Sequence, residues 1–171
     1  MNLHEESLSL EMIEISEATI DDVPTIARVH VQADWETYSL LFGSGAYAIE
    51  PRESEGRWQR ALQAGDVLLT ARDANKIVGV GHAQGNRIGA LYVLRPRQRR
   101  GIGKTLLLRL LAILHEQGIA EARFDVVASN VNAIRFYRAL GAYQVGRCIS
   151  RDFRGDTENL VFAITTKRNE F

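Results

Sequence analysis

The sequence predicts an α/β fold of the α+β kind, a mixed sheet with helices packed against it. Three observations carry this expectation. Short apolar runs with strand character recur along the chain, and turn residues separate several neighbouring pairs, which makes those pairs antiparallel hairpins. A long leucine-rich stretch, Ile102 to Gln117, has helical periodicity. That helix lies between two strand-like runs, which requires at least one β-α-β unit with a parallel crossover.

Residues 1–12 read as a loose leader, and residues 13–165 as a single domain. The alternating segment Ile13–Ser16 suggests a first strand. Residues 19–35 read as a helix: Thr19 or Asp21 can cap it, Pro24 suits its first turn, and Ile26, Val29, His30 and Ala33 share one face. Residues 36–52, with Gly43, Gly45 and Pro51, are expected to be irregular, and residues 53–65 to form a second helix ended by Gly65. Val67–Ala71 and Ile77–Gln84 form a hairpin around the turn residues between them, and Ile88–Leu94 adds a third strand.

From Ile102, residues Leu106, Leu107, Leu110, Leu111 and Leu114 line one helical face, with Thr105, Arg109 and Glu116 opposite. Gly118 stands where such a helix ends. Residues 122–128 are strand-like, 131–140 helical, and 142–150 and 158–165 a last hairpin. The element order is therefore β α α β β β α β α β β.

Composition narrows the function classes. The chain has 171 residues, 21 basic and 21 acidic side chains, and 46% hydrophobic residues. Zero formal net charge argues against coating nucleic acid or an acidic membrane. Cys148 is the only cysteine, so an intrachain disulfide is impossible and a reducing, cytoplasmic setting is expected. No apolar run approaches the ~20 residues a membrane span needs. The four histidines have no ligand spacing, so no metal is expected.

Against this neutral background, residues 94–104 concentrate Arg95, Arg97, Arg99, Arg100 and Lys104 around Gly101 and Gly103. A strand, a basic glycine loop and a helix form an anion site, because glycines let successive N–H groups converge and the helix N-terminus adds partial positive charge. Two nucleotide patterns fail here. The P-loop needs a glycine where Gln98 stands, and the dinucleotide fingerprint needs one at Leu106.

Gln98-Arg99-Arg100-Gly101-Ile102-Gly103 resembles the Q/R-x-x-G-x-G/A motif of the GNAT superfamily of acyl-CoA-dependent N-acyltransferases. Asn130, Ala133, Phe136, Tyr137, Leu140 and Gly141 resemble its second common stretch, with Ala142 where phenylalanine is usual. The resemblance covers residues 13–165 and implies a mostly antiparallel sheet with a splayed central strand pair. It implies acetyl-CoA as cofactor, with N–H groups from Arg99, Arg100, Gly101, Ile102, Gly103 and Lys104 around the pyrophosphate. Arg95, Arg97 and Arg99 could reach the 3′-phosphate. Leu91, Tyr92 and Val93 would pair with the pantetheine amides, and Asn130 would contact the same arm.

The implied reaction is attack of a neutral primary amine, from a small molecule or peptide, on the thioester. A backbone N–H near Val93 could stabilise the oxyanion, and Tyr137 would assist the leaving sulfur. Since a thiol (~8.5) is a stronger acid than a phenol (~10), Tyr137 should help without being indispensable. The base stays open among Tyr92, His82, Asp34, Glu36 and a water.

Trp35, Tyr38 and Tyr47 could line the acceptor pocket together with the turn around residues 148–156, and His82 is a further substrate-binding candidate. Trp58 reads as core and Cys148 as inert packing. The alternative to an enzyme is a non-catalytic acyl-CoA-binding regulatory module, and an exposed final strand could pair two chains into a homodimer. Peptide N-termini, lysine side chains, polyamines, aminoglycosides and amino acids all remain open as acceptors.

Overall fold

The computed structural model describes residues 13–43, 48–152 and 155–167. Among them the strands are β1 (Glu14–Glu17), β2 (Val67–Asp73), β3 (Lys76–Gln84), β4 (Arg87–Val93), β5 (Glu121–Val127), β6 (Tyr143–Asp152) and β7 (Gly155–Thr165). The α-helices are α1 (Val23–Phe42), α2 (Pro51–Gln63), α3 (Ile102–Glu116) and α4 (Val131–Ala139). The element order is the one expected, and the strands form one sheet in the order β1-β2-β3-β4-β5-β7-β6.

The largest departure is the length of α1. It continues through Phe42 and stops at Gly43, while α2 already starts at Pro51. Residues 36–42 contain no helix breaker, and local bonds support the extra turns: Gln32 Nε2–H donates to Glu36 Oε1 (2.9 Å) and Thr37 Oγ1–H to Ala33 O (2.9 Å). Pro51 occupies the first helical position, where its missing N–H leaves no bond unmade. The leader and Tyr47 lie outside the described residues.

Two apolar layers sandwich the sheet. On one face, Ile26, Ala27 and Val29 of α1 and Trp58 of α2 pack on Leu68, Val80 and Ala90. On the other, Leu106, Leu107, Leu110 and Leu114 of α3 pack on Leu69, Ala71, Phe124 and Phe162, joined by Ile134, Phe136 and Tyr137 of α4. Each of these leucines is fully or almost fully buried, and burying a leucine stabilises by about 1.5–3 kcal/mol. Ala142 is buried in the same layer, so the departure from the usual phenylalanine falls on packing.

The pairing between β4 and β5 positions the site. These strands are parallel and share a single registered pair, Arg87 with Arg123, next to a bond from Arg123 N–H to Asn86 O (2.8 Å). An ion pair between Arg87 and Asp125 (2.8 Å) spans the point where they separate. Beyond it, Leu91, Tyr92 and Val93 pair with β3 only, at Gly81, Val80 and Gly79. The central pair is splayed.

One expectation about the last strands needs correction. The final strand, β7, lies inside the sheet between β5 and β6, with long pairings to both that are interrupted only by a register shift between Gln144 and Gly146. The edge strand is β6, with Tyr143, Val145 and Ile149 exposed. Among the described residues no helix is long and apolar enough to cross a membrane.

Candidate active site

The open side of the splay meets the N-terminus of α3. Gly101 is the N-cap at φ +81°, a left-handed conformation that strains any residue with a side chain, and it has no side chain to cap the helix. Thr105 N–H bonds Gly101 O (2.9 Å), so the N–H groups of Ile102, Gly103 and Lys104 belong to the uncapped first turn. Arg99, two residues before Gly101, also has positive φ, +62°. Arg95, Arg99, Arg100 and Lys104 are exposed around this terminus. Backbone donors, the helix dipole and exposed basic residues thus lie in one stretch of chain.

Gly103 has an ordinary helical φ, so its importance is spatial. A Cβ there would lie 3.5 Å from Phe136 Cζ and 3.8 Å from Val93 Cγ2. The first turn of α3 is therefore wedged between α4 and the end of β4. The loop leading to it is tied down as well. Gln98 Nε2–H donates to Val93 O (2.9 Å), Arg95 N–H donates to Glu36 Oε2 (2.9 Å), and Arg97 pairs with Asp73 (3.0 Å).

These contacts bear on several expected roles. The Val93 carbonyl already accepts a hydrogen bond from Gln98. Arg97 is held by Asp73, a carboxylate only 4% exposed, whereas Arg95 and Arg99 are exposed at the surface. Both carboxylate oxygens of Glu36 accept hydrogen bonds, which makes it a strut between α1 and the loop. Asn130 caps α4, its Oδ1 accepting from Ala133 N–H (3.2 Å), so what it can offer a ligand is its amide N–H pair.

Tyr137 sits on α4 at the β5 side of the splay. Its ring lies 4.3 Å from Phe124 and 5.0 Å from Phe136. Burial raises its phenol well above the ordinary tyrosine value, and the neighbouring Tyr38 of α1 adds to the rise. The phenol therefore stays protonated and can only donate or accept a hydrogen bond. Tyr38 stacks on Phe42 (5.9 Å), and Trp35 on the same helix is 38% exposed. Two of the expected acceptor-side aromatics thus share one helix, and Tyr38 is close to Tyr137.

His82 is placed differently. It lies on the α1/α2 face of β3, paired in register with Ala90. Its Nε2 is 2.9 Å from Asp66 Oδ2, and its ring packs 5.5 Å from that of Trp58. No described contact links it to Trp35, Tyr38 or Tyr137. Trp58 is fully buried, as expected, and Cys148 is half-buried on β6. Among the described residues no group of three or more His, Cys, Asp or Glu side chains could hold a metal.

The struts Glu36, Asp73 and Gln98 were not assigned as such from sequence. Their partners are distant in the chain or on its backbone, and only the folded loop pairs them.

A parallel strand pair that opens beside an uncapped, arginine-rimmed helix N-terminus is an arrangement suited to an extended, phosphate-bearing molecule. A profile of the acetyltransferase (GNAT) family matches residues 31–142, and the chain belongs to that family. Over 145 residues it is 26% identical to an uncharacterized N-acetyltransferase, YuaI, of Bacillus subtilis strain 168, spanning 78% of this chain and 82% of that protein.

Its fold matches an N-acetyltransferase from Staphylococcus aureus Mu50, with TM-score 0.74 and 15% identity over 91% of this chain and 99% of that one. It also matches the PaiA N-acetyltransferase from Thermoplasma acidophilum, solved in complex with coenzyme A, with TM-score 0.65 and 22% identity over 90% and 99%. Acetyl-CoA is the cosubstrate that this membership implies.

Proposed function

We propose that this protein transfers the acetyl group of acetyl-CoA to a primary amine of a small molecule or peptide, by direct attack of the amine on the thioester. The observation that carries the reading is the parting of β4 from β5 directly beside the uncapped N-terminus of α3. Residues 13–165 act as one catalytic domain in this reading, and the single cysteine suits a cytoplasmic setting.

The residues present suit the cosubstrate. The N–H groups from Arg99 to Lys104, with the Arg95, Arg99 and Arg100 side chains, would hold its phosphates. Leu91, Tyr92 and the Val93 N–H would hold the pantetheine amides as an added strand would, with Asn130 contributing its amide N–H. Acetyl-CoA supplies an acyl carbon activated as a thioester, whose thiol leaves readily.

A β4 backbone N–H near Val93 would stabilise the charge developing on the acyl oxygen. Tyr137, neutral throughout, would donate a hydrogen bond to the departing sulfur, which its raised pKa favours over proton release. Trp35 and Tyr38 of α1 would face the acceptor.

The second reading is a non-catalytic acyl-CoA-binding regulatory module. It draws support from the commitment of both Glu36 oxygens to structural hydrogen bonds. Release of CoA thiol across a panel of peptide N-termini, lysine, polyamines, aminoglycosides and amino acids separates the two. The enzyme reading expects release above hydrolysis with at least one amine. Tight acetyl-CoA binding without turnover on any of them would favour the module.

A further inference from the structure

The loop from Leu94 to Gly101 carries the backbone that would face the phosphates, and its shape needs an explanation. Arg99 holds φ +62° without being glycine. A non-glycine residue persists in that region only where its surroundings over-determine it. The restraint comes from outside the loop. Asp73 ends β2 and pairs in register with Lys76 across a two-residue turn, Ala74 and Asn75, at φ +46° and +66°. Such a tight hairpin fixes the backbone at Asp73.

The Asp73 carboxylate is 4% exposed and lies 3.0 Å from Arg97 Nη1, while the Arg97 side chain is 34% exposed. Arg97 belongs to a 3-10 turn, Arg95–Arg97, closed by Arg97 N–H to Leu94 O (2.8 Å). Gln98, the next residue, reaches back to Val93 O. The hairpin therefore grips the loop two residues before Arg99.

We propose that Arg97 is a positioning residue for the cofactor loop, held by Asp73, and is not a ligand of the 3′-phosphate. Releasing Arg97 to a phosphate would leave a buried carboxylate without its cation, a strongly unfavourable state. The pair instead holds the turn that sets Arg99, and with it the N–H groups ahead of α3. The proposal rests on the assignment of that terminus to the phosphates of CoA.

The test is titration calorimetry with CoA and with 3′-dephospho-CoA on the wild type, Asp73→Asn, Arg97→Gln, Arg97→Lys and the double variant Asp73→Asn/Arg97→Gln. Loss of loop positioning weakens both ligands by the same factor, about tenfold, the scale of removing one supporting partner of a binding group. The double variant should be no weaker than the worse single one, since both break one interaction. Arg97→Lys, which keeps the charge, should recover part of the affinity.

If Arg97→Gln weakens CoA yet spares 3′-dephospho-CoA, Arg97 is a phosphate ligand and the proposal falls. Unchanged affinities in Arg97→Gln would also overturn it. Should Asp73→Asn fail to fold, the two Arg97 single variants decide on their own. Wild-type binding is the separate check on the assignment beneath: a wild type that binds neither ligand refutes the phosphate site, and this proposal with it.

Discussion

Tyr137 of α4 and Phe124 of β5 pack ring against ring, centroids 4.3 Å apart and planes tilted by 41°, and this contact holds the phenol against β5. The same burial raises the pKa of Tyr137, so in the proposed reaction the hydroxyl would act as a neutral donor.

Tyr137→Phe keeps the ring and its packing on Phe124 and Phe136 while removing the donor. Turnover is expected to fall by about 10²-fold, the lower end of the usual contribution of a positioned acid, because a thiol leaves easily. The Michaelis constant for acetyl-CoA should stay near wild type, since the lost bond matters most in the transition state. Steady-state CoA release measures both; unchanged turnover would make Tyr137 a packing residue.

The pH profile follows from the same shift. With its pKa raised above the ordinary ~10, Tyr137 does not titrate in the neutral and mildly alkaline range. Any limb seen there in kcat against pH should survive in residual Tyr137→Phe activity at the same position. Disappearance of an alkaline limb in that variant would show the phenol ionising during turnover.

Gly103→Val tests the wedge between α4 and β4. A Cβ fits beside Phe136 and Val93 at ordinary contact distance, and the two γ-methyl groups of valine are expected to crowd them. Such overpacking costs about 1–3 kcal/mol. Affinity for CoA should fall at least about tenfold as the first turn shifts, while circular dichroism stays close to wild type. Normal CoA binding by a folded Gly103→Val protein would place the phosphate site elsewhere.

At Gly101 the constraint is torsional. Nothing lies within 4 Å of an added Cβ, yet φ is +81°. Gly101→Ala should lose about 1–2 kcal/mol from the left-handed strain alone, which lowers Tm by roughly 2–4 °C per kcal/mol in a chain of this size. Differential scanning calorimetry reads this directly. An unchanged midpoint would mean the loop relaxes to a different turn.

Much of this was legible in the sequence, for identifiable reasons. The leucines of α3, the alternation in β2 and β3 and the turn residues between them are local periodic signals, and those elements fell close to where they were expected. The 36–42 stretch misled because Gly43, Gly45 and Pro51 suggested a loop for the whole interval, although the breakers begin only at Gly43. The basic cluster was visible as charge, but charge does not reveal which arginine a distant carboxylate has claimed. Arg97 is bound to Asp73, and Glu36 to the Arg95 N–H, through contacts that exist only once the β2–β3 hairpin and α1 have packed around the loop. His82 was a substrate-binding candidate by residue type; it lies buried on β3 with its ring against Trp58 and Asp66 at its Nε2.

Binding selectivity gives a further expectation. A ligand that binds only the folded state at a hundred times its Kd stabilises by about 2.7 kcal/mol, which corresponds to roughly 5–10 °C in Tm here. Acetyl-CoA should produce a shift of that size, with ATP and NAD giving much less. A larger shift with ATP would favour a nucleotide-binding function.

The central claim is that acetyl-CoA lies in the opening between β4 and β5 with its phosphates on the α3 terminus. Titrating acetyl-CoA into ¹⁵N-labelled protein and following the backbone amides tests it most directly. The largest changes should fall on Leu91, Tyr92 and Val93 and on Arg99 through Lys104, with β1 and the β6 edge little affected. Saturable binding whose largest changes lie away from these residues, or no binding at all, would contradict it.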